Sequence, residues 1–427
     1  MGKLNDISFT RVNGGVNANS VGNDHISALL LYVPATFLAR LNAEGNQDFL
    51  DANNKGILVK NVKKIQDIEE IGITDVALEA TVVEGMVTLG TDPDYLYRLV
   101  HYHVSEFLRI QNKGTLHIGF FEKQSANCDA NGYLDFAELA LIQNNVNGEV
   151  RQFGIYDVDF QGLLSGTNSS VIGYGEGTGD PVVYPTVSEV LIAHNANINS
   201  QLNTIYADHK PAIALYVPQF GTTTVATIKE IAIIVAGQNR VSNVIAEDCL
   251  TTGTASLLRV EIVKDVVGYA IGYVGLALGC VSKAAVHECI AWVQVFPLDL
   301  GVPGFITGEL LTNQSTSTLE DLNDAHFLFV RTHVGSAGNY WNDSHNNDVA
   351  TSDFRFIEGM RAMDKAEREV RIALLPDLNR PIYVDPDTGY LTDVQRESLK
   401  TIAEEPLTEM IKRGELSGAQ VLIAADQ

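Results

Sequence analysis

The feature that narrows this chain most is an alternation of two hydrophobic patterns along its first half. Ile26–Val33 is a dense apolar run closed by Pro34, and runs of strand length recur at Leu116–Phe121, Gln152–Val158 and Ala212–Val217. Between them, residues 65–71, 93–110, 134–143 and 186–206 have helical character. Strands separated by helices imply an α/β layer with a mostly parallel sheet. The stretches Ser27–Pro34 and Ala212–Pro218 echo each other. Two buried strands that end at proline look alike by chance, so the echo does not establish a duplication.

The last hundred residues have a different texture. Phe327–Val330 reads as a strand, and Asp353 as the N-cap of a helix running to Pro376, with an apolar stripe of Phe356, Met360, Met363, Val370 and Leu374. Asp385–Gly389 makes a tight turn, and Thr392 with Gln395 is a capping box for a second helix, apolar at Val394, Leu399, Ile402, Leu407 and Ile411. Pro406 predicts a kink or split in it, and Gly414 or Gly418 its end. A last strand, Gln420, Val421, Leu422, Ile423 and Ala424, stops three residues before the C-terminus and has no room to turn back.

At the other end Ile7, Ser8, Phe9, Thr10, Arg11 and Val12 alternate apolar and polar, and Asn13, Gly14 and Gly15 detach them from the polar stretch that runs to Asp24. This reads as an arm or as a frayed terminus. An unpaired strand exposes backbone donors and acceptors, and strand addition to a neighbour satisfies them.

A length of 427 residues predicts two or three domains, and 45% hydrophobic with 19% charged residues describes a folded chain. A net charge of −24 argues against nucleic acid or an anionic membrane as partner. Cys128, Cys249, Cys280 and Cys289 show neither CxxC nor regular spacing and read as reduced core thiols. The first residues lack the apolar run of a signal peptide, so synthesis in the cytoplasm is expected. Val266–Val281 is sixteen residues long, short for a span of about twenty. Its glycines at 268, 272, 275 and 279 form a small-residue stripe suited to close packing in a core.

Three groups of residues invite a chemical reading. Asn127, Asp129, Asn131, Tyr133, Asp135 and Glu138, with Gly132 at the sixth position, follow the spacing of a calcium loop apart from Asn for Asp at the first. A strand precedes this loop where an EF-hand has a helix, and the same residues make an ordinary turn and first helical turn. His333, Tyr340, Trp341, Asp343, His345 and Asp348 crowd one segment, but no HExxH, CxxC or nucleophile elbow accompanies them. Gly173–Gly177 lacks the Lys-Ser/Thr of a phosphate loop.

The run Arg331–His345, then Thr351-Ser-Asp-Phe354, then a helix with Arg361 and Asp364-Lys365-Ala366, resembles the C-terminal domain of the contractile tail sheath family, in particular a branch found in phage-like elements of Bacteroidetes. The resemblance implies a multi-domain α/β protein: an N-terminal arm at 1–25, an α/β layered domain at 26–310 with a subdivision near 162–185, a C-terminal α+β sheath core domain at 311–417 entered through a linker at 311–322, and a C-terminal arm strand at 418–427. In that family the arms interlace with neighbouring subunits' sheets, which implies hinges at Gly14, Gly15 and Gly418.

It further implies a non-enzymatic subunit without a cofactor, forming a helical homo-polymer around an inner tube protein and meeting baseplate and terminator proteins. Such a subunit assembles in the bacterial cytoplasm as part of a phage tail or contractile particle, which in some systems is released from the cell. Arg396, Lys400, Lys412 and Arg413 then become contacts to an acidic tube, or else a solvated face with paired charges. The alternative function is a soluble α/β enzyme or a calcium-regulated binding module using the 127–138 loop.

Overall fold

The computed structural model describes residues 23–43, 56–75, 80–83, 86–89, 95–158, 172–178, 185–220, 223–249, 270–377 and 390–423. The first half carries β1 (Ile26–Tyr32), α1 (Ala35–Ala43), β2 (Gly56–Val62), α2 (Gln66–Glu69), the hairpin β3 (Ala80–Val83) and β4 (Met86–Leu89), α3 (Tyr95–Ile110), β5 (Thr115–Phe121), α4 (Glu138–Asn145) and β6 (Gln152–Asp157). Then come α5 (Val187–Ala207), β7 (Ile213–Val217), α6 (Val225–Ile228), β8 (Val241–Val244), β9 (Ala246–Asp248), α7 (Val274–Lys283), β10 (Pro303–Phe305) and α8 (Thr316–Asp324). The chain continues with β11 (Phe327–Leu328), β12 (Val330–Arg331), β13 (Tyr340–Trp341), α9 (Ile357–Leu374) and α10 (Asp393–Lys412).

Seven strands form one sheet in the order β11-β8-β7-β6-β1-β5-β2. Every pairing is parallel except β2 with β5, at the edge, where a bulge between Val59 and Val62 interrupts the register. The expected α/β layer is therefore present. β1 sits near the middle and is buried from Ser27 to Tyr32, which is why its sequence reads as a continuous apolar run instead of alternating.

The glycine stripe has its explanation in α7, which packs against α3 and is buried from Val274 to Ser282. A Cβ on Gly275 would lie 1.9 Å from the His103 carbonyl oxygen, and one on Gly279 would lie 3.0 Å from that of Phe107. The two backbones touch there, and only glycine permits it. No helix among the described residues is long and apolar enough to cross a membrane.

Several local expectations are corrected. The segment read as a linker holds a 3-10 turn, Leu311–Asn313, and helix α8, whose N-cap Ser315 accepts from the Thr318 amide at 3.1 Å. Phe327–Leu328 joins the main sheet beside β8, so strand pairing continues across residue 310. Ile357 and Met360 of α9 belong to the same core cluster as β1, while Ala366, Leu407 and Met410 make a small separate one. The helix expected from Leu134 starts only at Glu138, because Phe136 takes a left-handed φ of 57°. Phe356, not Asp353, precedes α9. Helix α10 continues through Pro406 without a break; lying mainly against α9 alone, it is free to bend around the ring.

Candidate functional site: the roots of the two arms

Helix α9 organises this region. Its first half is fixed to the sheet domain by buried polar contacts: Arg240 makes a two-point contact with Asp364, Nη1–Oδ2 at 2.8 Å and Nη2–Oδ1 at 2.9 Å. Arg361 donates to the carbonyls of Ala284 at 3.1 Å and Ala285 at 3.3 Å. Burial raises the Asp364 carboxyl above its ordinary range against the opposing pull of Arg240, and lowers Arg361 to about 10. Such buried charges are tolerated because Arg240 and Asp364 are paired and Arg361 is hydrogen-bonded to carbonyls.

Next to Asp364 on the helix, Lys365 bridges the beginning and the end of the described chain. Its Nζ lies 2.8 Å from Asp24 Oδ2 and 2.7 Å from Glu415 Oε1. Arg368 Nη2 holds the other Asp24 oxygen. Burial works to raise the Asp24 carboxyl, but the Lys365 hydrogen bond and the charges of Arg368, Lys365 and Arg361 outweigh it and hold it below the usual carboxylate range. Around Asp24, Gln152 donates to its carbonyl at 3.2 Å and Ser282 to that of His25 at 3.2 Å. The His25 ring also reaches the Ser282 carbonyl. Asp24 and His25 are thus held by several elements.

The segment after α10 is held by fewer. Gly414 takes φ +74°, its amide donates to Ile411 at 2.9 Å and that of Glu415 to Met410 at 2.9 Å. This double bond pattern is the glycine stop of α10. Beyond it Leu416 and Val421 pack on Ala366, Leu407 and Met410, whereas Leu422 is 82% exposed.

The residues singled out from sequence fare differently. Ile7, Ser8, Phe9, Thr10, Arg11, Val12, Gly14, Gly15 and Ala424 lie outside the described residues. Gln420, Val421, Leu422 and Ile423 are described and pair with no strand among the described residues. Gly418 borders open space, and it is Gly414 whose left-handed backbone requires glycine.

Of the four basic residues on or after α10, Arg396 is bound to Asp393, Lys400 lies 3.9 Å from both Glu397 and Glu404, Lys412 is 2.6 Å from Glu409, and Arg413 is 3.5 Å from Glu415. The face they share with these acids is a paired one. Val394 and Ile411, read as core positions, are exposed, and the buried positions of α10 are Gln395, Ala403, Leu407 and Met410.

The residues of the calcium-loop pattern hydrogen-bond within the loop and to its neighbours. Asp129 Oδ1 accepts from the Asn131 and Tyr133 amides at 2.8 and 3.1 Å, and its Oδ2 from Asn197 at 3.0 Å. Asp135 accepts from the Ala137 amide at 2.9 Å. Glu138, which would supply two oxygens, turns inward, accepting from the Tyr32 hydroxyl at 2.9 Å and from Asn127. Both Asp129 oxygens, one of Asp135 and both of Glu138 thus serve the loop's own folding, and no metal-holding group of His, Cys, Asp and Glu is found among the described residues.

The crowded segment after β12 is structural as well. Trp341 is fully buried, the His345 ring stacks on His326 at 4.4 Å, Asp343 lies 3.1 Å from His345, and Asp348 accepts from the Gly237 amide at 2.9 Å. Ser242 and Asn243 of β8 bond to Asn346 at 3.2 Å and to Asn347 at 3.0 Å. This segment stitches the last third of the chain onto the sheet.

Asp24, Arg240, Arg368 and Glu415 were not singled out from sequence. A signal for part of the cluster exists, because Arg361, Asp364, Lys365 and Arg368 recur at helical spacing and so share one face of α9.

This fold is that of contractile sheath structures. The chain is similar, at 14% identity and TM-score 0.51, to a subunit of the anti-feeding prophage helical sheath in its contracted state, over 97% of this chain and 87% of that one. It is also similar, at 12% identity and TM-score 0.50, to a chain of the six-fold symmetrised anti-feeding prophage baseplate, over 98% and 87%. Two models of one family, DUF2586, match as well, its N-terminal domain at residues 198–345 and its C-terminal domain at 353–427. No curated protein matches the sequence significantly.

Proposed function

We propose that this chain is the structural subunit of a contractile sheath, polymerising helically around an inner tube and driving that tube forward on contraction. The observation that supports the reading is the meeting of Asp24 and Glu415, near the beginning and the end of the described residues, on Lys365 within a sheath fold. Two extensions with a common origin suit contacts that pass from one subunit to the next. Such contacts join different patches on successive copies, so they generate an open helix instead of a closed ring.

In this reading Ile7–Val12 and Gln420–Ala424 add as strands to neighbouring subunits, and contraction turns the bodies as rigid units while the arms, hinged near Gly14, Gly15 and Gly418, keep the lattice connected. The output is movement, not turnover, and the chain is not an enzyme. Its partners are further copies of itself, the inner tube, baseplate proteins and a terminator. Assembly takes place in the bacterial cytoplasm, with the finished particle a phage tail or a related injection machine.

The role of α10 against the tube belongs to the same proposal. Because its basic residues are already paired, Lys400→Glu tests it directly: loss of tube binding supports a tube-facing helix, and unchanged binding places the tube contact elsewhere. The sheath reading itself is tested by deleting residues 1–12 or 419–427. Each truncation is expected to leave a soluble, folded body unable to polymerise, and normal polymerisation of either one contradicts the reading.

A further inference from the structure

We propose that Glu415 and Lys365 form a latch that holds the root of the C-terminal arm against the fixed root of the N-terminal arm, and that opening it lets the C-terminal arm change direction while the N-terminal root stays in place. The inference rests on the sheath reading only for its use in a polymer; the latch itself belongs to the single chain.

The two roots are held unequally. Asp24 is bound by Lys365 and Arg368, and the backbone beside it by Gln152 and Ser282, which belong to β6 and α7. Lys365 stands on a helix pinned to the body by Arg240–Asp364 and by Arg361. This side has no freedom to move alone.

Glu415 is the last buried polar tie among the described residues. Its side chain is 8% exposed, one oxygen lies 2.7 Å from Lys365, and the other is buried with no hydrogen-bond partner among the described residues. A buried acceptor left unmet raises the energy of the closed state relative to one in which water or another donor reaches it. Beyond Glu415, among the described residues, Leu416 and Val421 pack back onto the helix pair, Gly418 borders open space, and Leu422 is exposed. This segment therefore combines one short charge-assisted bond to Lys365, a longer ion pair at 3.5 Å to Arg413 from within the same segment, a small apolar contact and an unsatisfied oxygen. The amides of Gly414 and Glu415, bonded to Ile411 and Met410, lie at this tie, and their backbone bonds open more often once it is lost.

The test is hydrogen–deuterium exchange on the soluble full-length chain, comparing wild type with Lys365→Met and Glu415→Gln. Loss of a charge-assisted bond of this kind is expected to speed exchange across residues 414–418 roughly tenfold or more in both variants. Residues 23–26 and the first half of α9 should stay within about twofold of wild type. Exchange at 414–418 unchanged in both variants overturns the latch, as does equal loosening of residues 23–26, which would make Lys365 a general brace. Should Lys365→Met fail to fold, Glu415→Gln alone decides, since it keeps every contact of the N-terminal root. The reading is taken on unpolymerised chain, so failure of the latch and failure of the sheath proposal are separate results.

Discussion

Gly275→Ala is the sharpest perturbation of the fold. The added carbon would sit 1.9 Å from the His103 carbonyl oxygen, 2.7 Å from its carbon and 3.0 Å from its Cα. All three are backbone atoms, so no side chain can rotate away, and α3 and α7 must separate by roughly 1.5 Å to restore ordinary contact. Inserting one carbon into a well-packed core typically costs about 1–3 kcal/mol, and a backbone clash belongs at or beyond the top of that range. Replacing glycine by alanine inside a helix returns about 1 kcal/mol. A net loss of about 2 kcal/mol or more is expected.

For a chain of this length that shifts the melting temperature by only about 2 °C, so equilibrium urea unfolding is the better assay. Gly279→Ala, whose carbon would stand 3.0 Å from the Phe107 oxygen, should cost less, and Gly418→Ala, with nothing within 4 Å, should cost nothing measurable. If Gly275→Ala unfolds within about 0.5 kcal/mol of wild type, the close approach of α3 and α7 is wrong.

Other outcomes are expected from the buried polar groups. Asp364→Asn leaves Arg240 buried with its two-point partner neutralised and should destabilise by about 3–5 kcal/mol in urea, a loss that the double variant Arg240→Met with Asp364→Leu should largely restore. Burial lowers His103 to about 3 and His194 to about 4, so the folded chain binds these protons less readily than the unfolded one. Stability on this account is full above about pH 6.5 and falls by about 1.4 kcal/mol per pH unit for each histidine as pH drops toward 4. His103→Leu should remove one histidine's share of that slope, measured by urea titrations between those pH values. Calorimetric titration with millimolar calcium should show no uptake by the 127–138 loop, and Glu138→Gln should leave that result unchanged.

Legibility in the sequence divides along physical lines. β1, β5, β6 and β7 were legible because parallel strands covered on both faces are apolar throughout, and α5 because Thr186 and Glu189 cap it from both sides, the Glu189 carboxylate accepting from the Thr186 amide at 2.7 Å. The polar stretch after residue 311 hid a helix, because α8 buries only Leu322 among its own residues and shows little apolar period. The partner of β11 was invisible for another reason: a two-residue strand is defined by its pairing with Asn243 and Val244, far away in sequence.

The α9–α10 pair was found in outline and misread in its faces. Exposed Met363, Val394 and Ile411 satisfied the apolar spacing, while the face that docks carries Arg361, Asp364 and Lys365. Charged residues count as surface in any hydropathy pattern, and only their partners Asp24, Arg240 and Glu415 make them interior. The calcium-loop spacing likewise does not reveal that the Glu138 carboxylate accepts from Tyr32.

Helical reconstruction of the polymer, from cells making this chain together with its neighbouring tube gene, tests the central claim most directly. The account predicts tubes in which residues 7–12 and 420–424 lie as strands in the sheets of adjacent subunits. Both termini folded back onto their own subunit, with no contact between copies, would contradict it.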